Sequence, residues 1–399
     1  MKRISQRRLR ASTSSGCGDA HADSVTTPRA LYSPGAVTGG SRAPRTRIPV
    51  RRWCAIGLLL AAPCGAGATP PPVSPGGQGS VVFTAYPPHA DIGSMLQRLM
   101  SPFAALRITA KFADPKAALR GWPFRPAQQH FVLYVPPGPA PAGGYTLLVF
   151  VPPWKQARVP VQWIPVLNRT HTLFVTAADS GNSAQVFERR EPLALVAADN
   201  VPRLYHVNPS HIYVGGFSGG SRVALRLALA FPDVFRGALL DAGSDPIGTA
   251  TVPLPPRAVF ERFQQSSRIV FVTGDEDQIR QTQLARAQSA LHDWCVFDVD
   301  SLTLLHTGHT LADGAGFARA LDALMRTSAP NEPRLQRCRA HHHTALAAGL
   351  QRVRALIDAR HLRRARQVLD AIDDRYGGLA APQSVALLRR ISAAPTTGK

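Results

Sequence analysis

From residue 131 onward the chain alternates short apolar runs, rich in β-branched and aromatic residues, with longer stretches of helical period. The runs at 131–135 (FVLYV), 145–151 (YTLLVFV), 172–177 (TLFVTA), 211–216 (HIYVGG), 237–242 (GALLDA), 268–273 (RIVFVT) and 296–304 (VFDVDSLTL) predict strands. Helical spacing falls over 185–199, 219–230, 279–292 and 312–326. Several of the strand runs are apolar throughout, a pattern that needs cover on both faces. The alternation therefore predicts an α/β fold, a mostly parallel sheet with helices on both faces. Only the Pro/Gly segment Pro136 to Gly144 separates the first two runs, so they are expected to adjoin as an antiparallel edge.

Beyond this region the pattern changes. Leu346, Leu350, Val353 and Ile357 share one helical face, and Ala365, Val368, Leu369 and Ile372 share a second. The spacing resembles a helical hairpin of the tetratricopeptide kind. A unit or two of that kind cannot form a solenoid, which needs at least about three, so the hairpin is expected to pack on the main domain. The organisation read from the sequence is a leader over 1–68, a Pro/Gly linker over 69–80 (TPPPVSPGGQGS), an α/β domain over 81–330 and a helical appendage over 331–399. Arg360, Arg363, Arg364 and Arg366 read as a solvated face of the appendage rather than a nucleic-acid site, and the C-terminal helices leave room for a protein partner.

Composition changes this picture in one respect. The formal charge of +21 points first to a nucleic-acid or membrane partner. The charge is concentrated at the two ends: residues 1–68 hold eleven basic against two acidic residues, and 331–399 hold thirteen against five. The centre is nearly balanced and carries no basic stripe interleaved with aromatics, which argues against a nucleic-acid reader. The apolar run 53–62 (WCAIGLLLAA) follows Arg45, Arg47, Arg51 and Arg52 and precedes Ala66-Gly67-Ala68. That layout is a secretory signal with its core at 45–68 and a mature start at Thr69. Its apolar part is about half the roughly 20 residues a membrane span requires, so no stable span is expected after cleavage. The Ser/Gly/Pro/Arg-rich stretch before it is long for a leader, and initiation near Val50 would give ordinary length. The expected location is periplasmic or secreted. Export would remove Cys17, Cys54 and Cys64, leaving Cys295 and Cys338 either bonded to each other or as two separate buried thiols. His341-His342-His343 has no Cys or acidic partner at zinc-type spacing. No dinucleotide or phosphate loop is present either, so neither metal nor cofactor is inferred.

The chemistry concentrates in three places. Gly216-Phe217-Ser218-Gly219-Gly220 matches G-x-S-x-G, follows a predicted strand and opens a predicted helix. Ser218 then stands on a tight strand-to-helix turn that lifts its hydroxyl clear of the sheet. A serine hydroxyl needs a base in hydrogen-bond reach, itself held by a carboxylate. Thr273-Gly274-Asp275-Glu276-Asp277 follows one later strand, and Leu305-His306-Thr307-Gly308-His309-Thr310 follows the next. Asp277 is preferred over Asp275 because it lies further into its loop, with Asp275 left to brace the turn and Asp245 as a third candidate acid. His309 is preferred over His306 because Gly308 frees the backbone to present it. Acyl chemistry also needs two donors for an oxyanion. Gly219 N–H is one. After strand 145–151 the chain reads Pro152-Pro153-Trp154, and since proline has no N–H, Trp154 is the first available second donor; a substrate-facing wall or a core aromatic are its other readings.

The stretch from Asp179-Ser180-Gly181-Asn182 through Arg189-Arg190 to Gly216-Phe217-Ser218-Gly219-Gly220, with Gly274-Asp275-Glu276-Asp277 and Gly308-His309, resembles bacterial α/β-hydrolases of the polyhydroxybutyrate depolymerase and esterase group over about residues 125–326. The resemblance implies the α/β-hydrolase fold, the same triad and a small-molecule or polymeric ester substrate. One departure is that Pro-Pro-Trp stands where that group often has a His-Gly oxyanion loop. Two functions follow: an exported carboxylic ester hydrolase, or a catalytically idle hydrolase-fold scaffold binding a partner through its C-terminal helices.

Overall fold

The structure, a computed structural model, describes residues 73–326 and 329–394. The leader over 1–68 lies outside the described residues. Eight strands, β1 (Gln78–Val81), β2 (Phe131–Tyr134), β3 (Tyr145–Val151), β4 (Thr172–Ala177), β5 (Val207–Phe217), β6 (Gly237–Asp241), β7 (Arg268–Gly274) and β8 (Val299–Leu304), form one sheet in the order β1-β2-β4-β3-β5-β6-β7-β8. β1, β2 and β4 pair antiparallel, and every pair from β4 to β8 is parallel. This order, with β2 the antiparallel strand beside β4, is that of the α/β-hydrolase fold.

Helices α1 (Ile92–Leu99), α2 (Pro102–Thr109), α3 (Pro115–Leu119), α4 (Ile164–Arg169), α5 (Glu191–Leu204), α6 (Gly219–Ala230), α7 (Arg257–Ser266), α8 (Gln278–Asp293) and α9 (Gly314–Met325) surround the sheet. All seven residues of β3 and all six of β4 are buried, because α5 and α6 pack on one face and α4 and α9 on the other. Every parallel strand therefore points its C-terminal end to one edge of the sheet, where the loops carrying Ser218, Asp277 and His309 meet.

Two expectations are corrected. The runs at 131–135 and 145–151 are not neighbours: β4 lies between β2 and β3, and the antiparallel edge is β1-β2-β4. The nine residues from Pro136 to Gly144 are too many for the tight turn a hairpin favours, and they cross instead to a strand two places away. The Pro/Gly segment 69–80 also does not end as a linker, since Gln78, Gly79 and Ser80 already pair with Tyr134, Leu133 and Val132.

The C-terminal residues form α10 (Glu332–Asp358), α11 (Leu362–Tyr376) and α12 (Gln383–Ala393). Leu346, Leu350, Val353, Ile357, Ala365, Leu369 and Ile372 are buried, and they join the same apolar cluster as α5 to α8. Polar contacts fix the attachment. Asp373 accepts from Ser101 Oγ at 2.5 Å and from the Phe103 N–H at 3.3 Å, completing the start of α2. Arg339 donates to Gln264 Oε1 and to the Glu261 carbonyl, both at 2.7 Å. Cys295 and Cys338 form a disulfide between the segment after α8 and α10. Among the described residues no helix is long and apolar enough to cross a membrane.

Candidate active site

Ser218 sits between β5 and α6 at φ 55° and ψ −119°, a conformation that costs a non-glycine residue roughly 1–3 kcal/mol. Its surroundings hold it there. The Ser218 N–H donates to the Asp241 carbonyl at 2.7 Å. Ser221 Oγ lies 2.6 Å from the Asp241 carbonyl and 2.7 Å from that of Gly216, and shares its proton between them. Strand and helix also approach too closely for side chains: a Cβ on Gly216 would lie 2.3 Å from Gly220 C, and one on Gly220 would lie 1.9 Å from the Val151 carbonyl oxygen. The two glycines of the motif are thus steric requirements of the turn that raises the serine.

His309 Nε2 is 3.0 Å from Ser218 Oγ, and His309 Nδ1 is 2.6 Å from Asp277 Oδ2. Asp277 is nearly buried and caps α8 by accepting the Arg280 N–H through Oδ1 at 3.3 Å. With the proton of Nδ1 directed at the carboxylate, the lone pair of Nε2 faces the serine hydroxyl, which is the tautomer a general base needs. The Phe217 ring stacks beside the imidazole with centroids 5.1 Å apart.

Of the alternatives, Asp275 binds the histidine loop rather than the histidine. Its Oδ1 accepts the Thr307 N–H at 3.1 Å, and that hydrogen bond holds its carboxyl below the ordinary aspartate range. Asp245 lies 3.6 Å from Arg222 Nε. His306 takes the left-handed backbone conformation, φ 53°, on the turn that leads to His309.

Neither the Gly219 N–H nor the Trp154 N–H has a hydrogen-bond acceptor among the described residues. The loop carrying Trp154 is held from behind by a residue that the sequence reading did not assign. Arg190, buried at the end of a π-helical turn (Val186–Arg190), donates through Nε to the Ser180 carbonyl at 2.8 Å and through an Nη to the Pro152 carbonyl at 3.0 Å. Burial pulls its guanidinium down to about 10, against a smaller opposing effect of Glu191. The Trp154 ring lies 6.2 Å from Phe217 and 6.3 Å from Phe150, and the Arg158 guanidinium stands 4.7 Å from it. Its Nε1 is buried without a partner.

Asp241 is the other residue the sequence reading passed over. It is fully buried at the end of β6, its Oδ2 accepts the Ala312 N–H at 2.9 Å, and burial pushes its carboxyl up to about 8. Elsewhere, Cys295, Cys338 and His342 place their ligand atoms within 4.8 Å of one another, but the two sulfurs are bonded to each other.

No protein-family profile matches the sequence, and no curated protein matches it either. Solved structures do. A puromycin-hydrolysing peptidase of Mycobacterium tuberculosis is 18% identical, over 49% of this chain and 36% of the peptidase, with a TM-score of 0.36. The chain therefore spans about a third of that peptidase. Est1E from Butyrivibrio proteoclasticus is 15% identical, over 49% of this chain and 93% of its own, with a TM-score of 0.37. A feruloyl esterase module from Clostridium thermocellum is 12% identical, over 51% and 86%, with a TM-score of 0.39.

Proposed function

We propose that the chain is an exported serine hydrolase that cleaves carboxylic esters through an acyl-enzyme. The observation that carries the reading is the unbroken relay from Ser218 Oγ through His309 to Asp277, beside a backbone N–H at Gly219 that has no acceptor. In this reading Ser218 Oγ bonds to the acyl carbon as its proton passes to His309 Nε2. The carbonyl oxygen becomes an oxyanion facing the Gly219 and Trp154 N–H groups. The tetrahedral intermediate then breaks its bond to the alkoxy oxygen, and His309 returns the proton to the departing alcohol. Water adds to the acyl-enzyme by the same steps, releasing the acid and restoring Ser218. Asp277 keeps Nδ1–H in place and stabilises the imidazolium that forms.

Export rests on the segment 53–68, and a disulfide is the bond expected in an oxidising compartment. The experiment is a pair: labelling of the purified chain by a fluorophosphonate, and hydrolysis of p-nitrophenyl acetate, each repeated on Ser218→Ala. Label and turnover that both vanish in the variant support the reading. A wild type that takes no label and turns over no acyl ester overturns it in favour of the scaffold.

A further inference from the structure

Position 219 is glycine for a reason beyond the turn itself. A Cβ there would lie 2.2 Å from Asn182 Oδ1, 2.9 Å from its Cγ and 3.2 Å from its Nδ2. The Asn182 amide thus occupies the space that a side chain on the residue after Ser218 would fill, and that residue supplies the first oxyanion N–H. Asn182 is held on the other side as well: its own N–H donates to the Pro153 carbonyl at 2.9 Å, adjacent to Trp154. The preceding residue is equally confined, since a Cβ on Gly181 would lie 2.7 Å from Trp154 C. Arg190, through the Ser180 carbonyl, ties the same loop to Pro152.

The Asn182 amide makes no hydrogen bond with any described residue, although its neighbours Ser180 and Gly181 are buried and it is exposed. Lying against Gly219 and anchored beside Trp154, the amide can offer a side-chain donor next to the unpaired N–H groups of those two residues.

We propose that Asn182 is a third oxyanion-hole donor, its Nδ2–H directed at the carbonyl oxygen of the ester as that oxygen takes on charge. The inference rests on the proposed ester hydrolase. A donor that acts mainly on the charged intermediate raises kcat more than it lowers KM, because the ground-state carbonyl gains less from it. The side chain also makes up on this chain for an oxyanion loop that opens with two prolines.

The test uses the full chain with two near-isosteric variants, Asn182→Leu and Asn182→Asp, assayed on p-nitrophenyl acetate. Both remove the donor while keeping the volume against Gly219. Each is expected to lower kcat by roughly 10²-fold with KM and melting temperature close to wild type, and to slow inactivation by a fluorophosphonate. Asp, which sets a carboxylate against the oxyanion, is expected to lose more than Leu. Wild-type kcat in Asn182→Leu would overturn the inference and leave the hydrolase reading standing, as would a loss confined to KM. An inert wild type would overturn both.

Discussion

Asp241 Oδ2 accepts a 2.9 Å hydrogen bond from the Ala312 N–H, which joins the end of β6 to the segment just after His309. The same residue's carbonyl receives the Ser218 N–H. One aspartate therefore braces the Ser218 turn through its backbone and the histidine loop through its side chain.

Through that carboxyl, stability should fall as pH rises. The Asp241 carboxyl is raised by burial from the ordinary aspartate range to about 8 in the fold. Between those values the unfolded chain has released a proton that the folded chain still holds, so folding loses ground as pH rises, until the folded carboxyl itself ionises. Asp241→Asn keeps an acceptor for Ala312 and does not titrate. It should melt a few degrees above wild type at pH 8, with the gap closing toward pH 4, measured by circular dichroism across that range. A gap independent of pH would assign the effect to something other than Asp241 ionisation.

The relay residues should behave as one unit. Ser218→Ala and His309→Ala are each expected to lower kcat by at least about 10⁴-fold, with the double variant little worse. Asp277→Asn should leave the fold intact and cost orders of magnitude by favouring the other histidine tautomer. Asp275→Asn loosens only the Thr307 contact and should cost far less. Steady-state kinetics on one soluble ester distinguishes Asp275→Asn from the relay variants.

Arg190 should matter for both stability and rate. Its removal leaves the buried Ser180 and Pro152 carbonyls without donors, a loss of about 2 kcal/mol or more. Arg190→Met should lower the unfolding free energy by that amount, read from denaturant titration, and reduce kcat, because the Trp154 loop loses its rear anchor. Lysine, with no planar fork, should rescue only part. Equal activity in Arg190→Met and wild type would mean that the loop is held without it.

The disulfide and the C-terminal helices should be felt across the α/β domain. Cys295 and Cys338 are 43 positions apart, and closing a loop of that length stabilises by about 4 kcal/mol in the chain-entropy account. Cys338→Ser should lower the melting temperature accordingly, and so should a reductant on the wild type. Deleting 331–399 should do more, since it uncovers Trp294, which stacks on His342 and meets Tyr376 edge-on. An unchanged melting curve after deletion would make the helices an independent module.

Seven of the eight strands were legible, the clearest because a parallel strand covered on both faces is apolar throughout, as YTLLVFV and TLFVTA are. β1 was not legible: its QGSV has one buried apolar residue, and its place is decided by pairing with β2. α7 was missed for a similar reason, with only Phe260, Phe263 and Gln264 buried in ten residues. The pairing of β2 was misjudged because chain neighbours often are sheet neighbours, and no residue in 131–151 records that β4 comes between. At the site, Ser218, Asp277 and His309 could be read because each stands on a loop after its own strand. Asp241 could not, since GALLDA looks like a strand ending in a turn, and nothing local tells that its carboxyl is fully buried. Arg190 left a fainter trace, a charge where the helical period calls for an apolar residue.

Asp373 completes the start of α2 from 272 positions downstream of Ser101. The start of α2 therefore receives its last hydrogen bonds only after nearly all of the chain is available. A chain threaded outward from its N-terminus would hold the Ser101 hydroxyl and the Phe103 N–H without this acceptor until α11 had followed. A sequence cut short before residue 373 leaves Ser101 and Phe103 without their acceptor, and the N-terminal helices then carry the mark of a truncation at the opposite end.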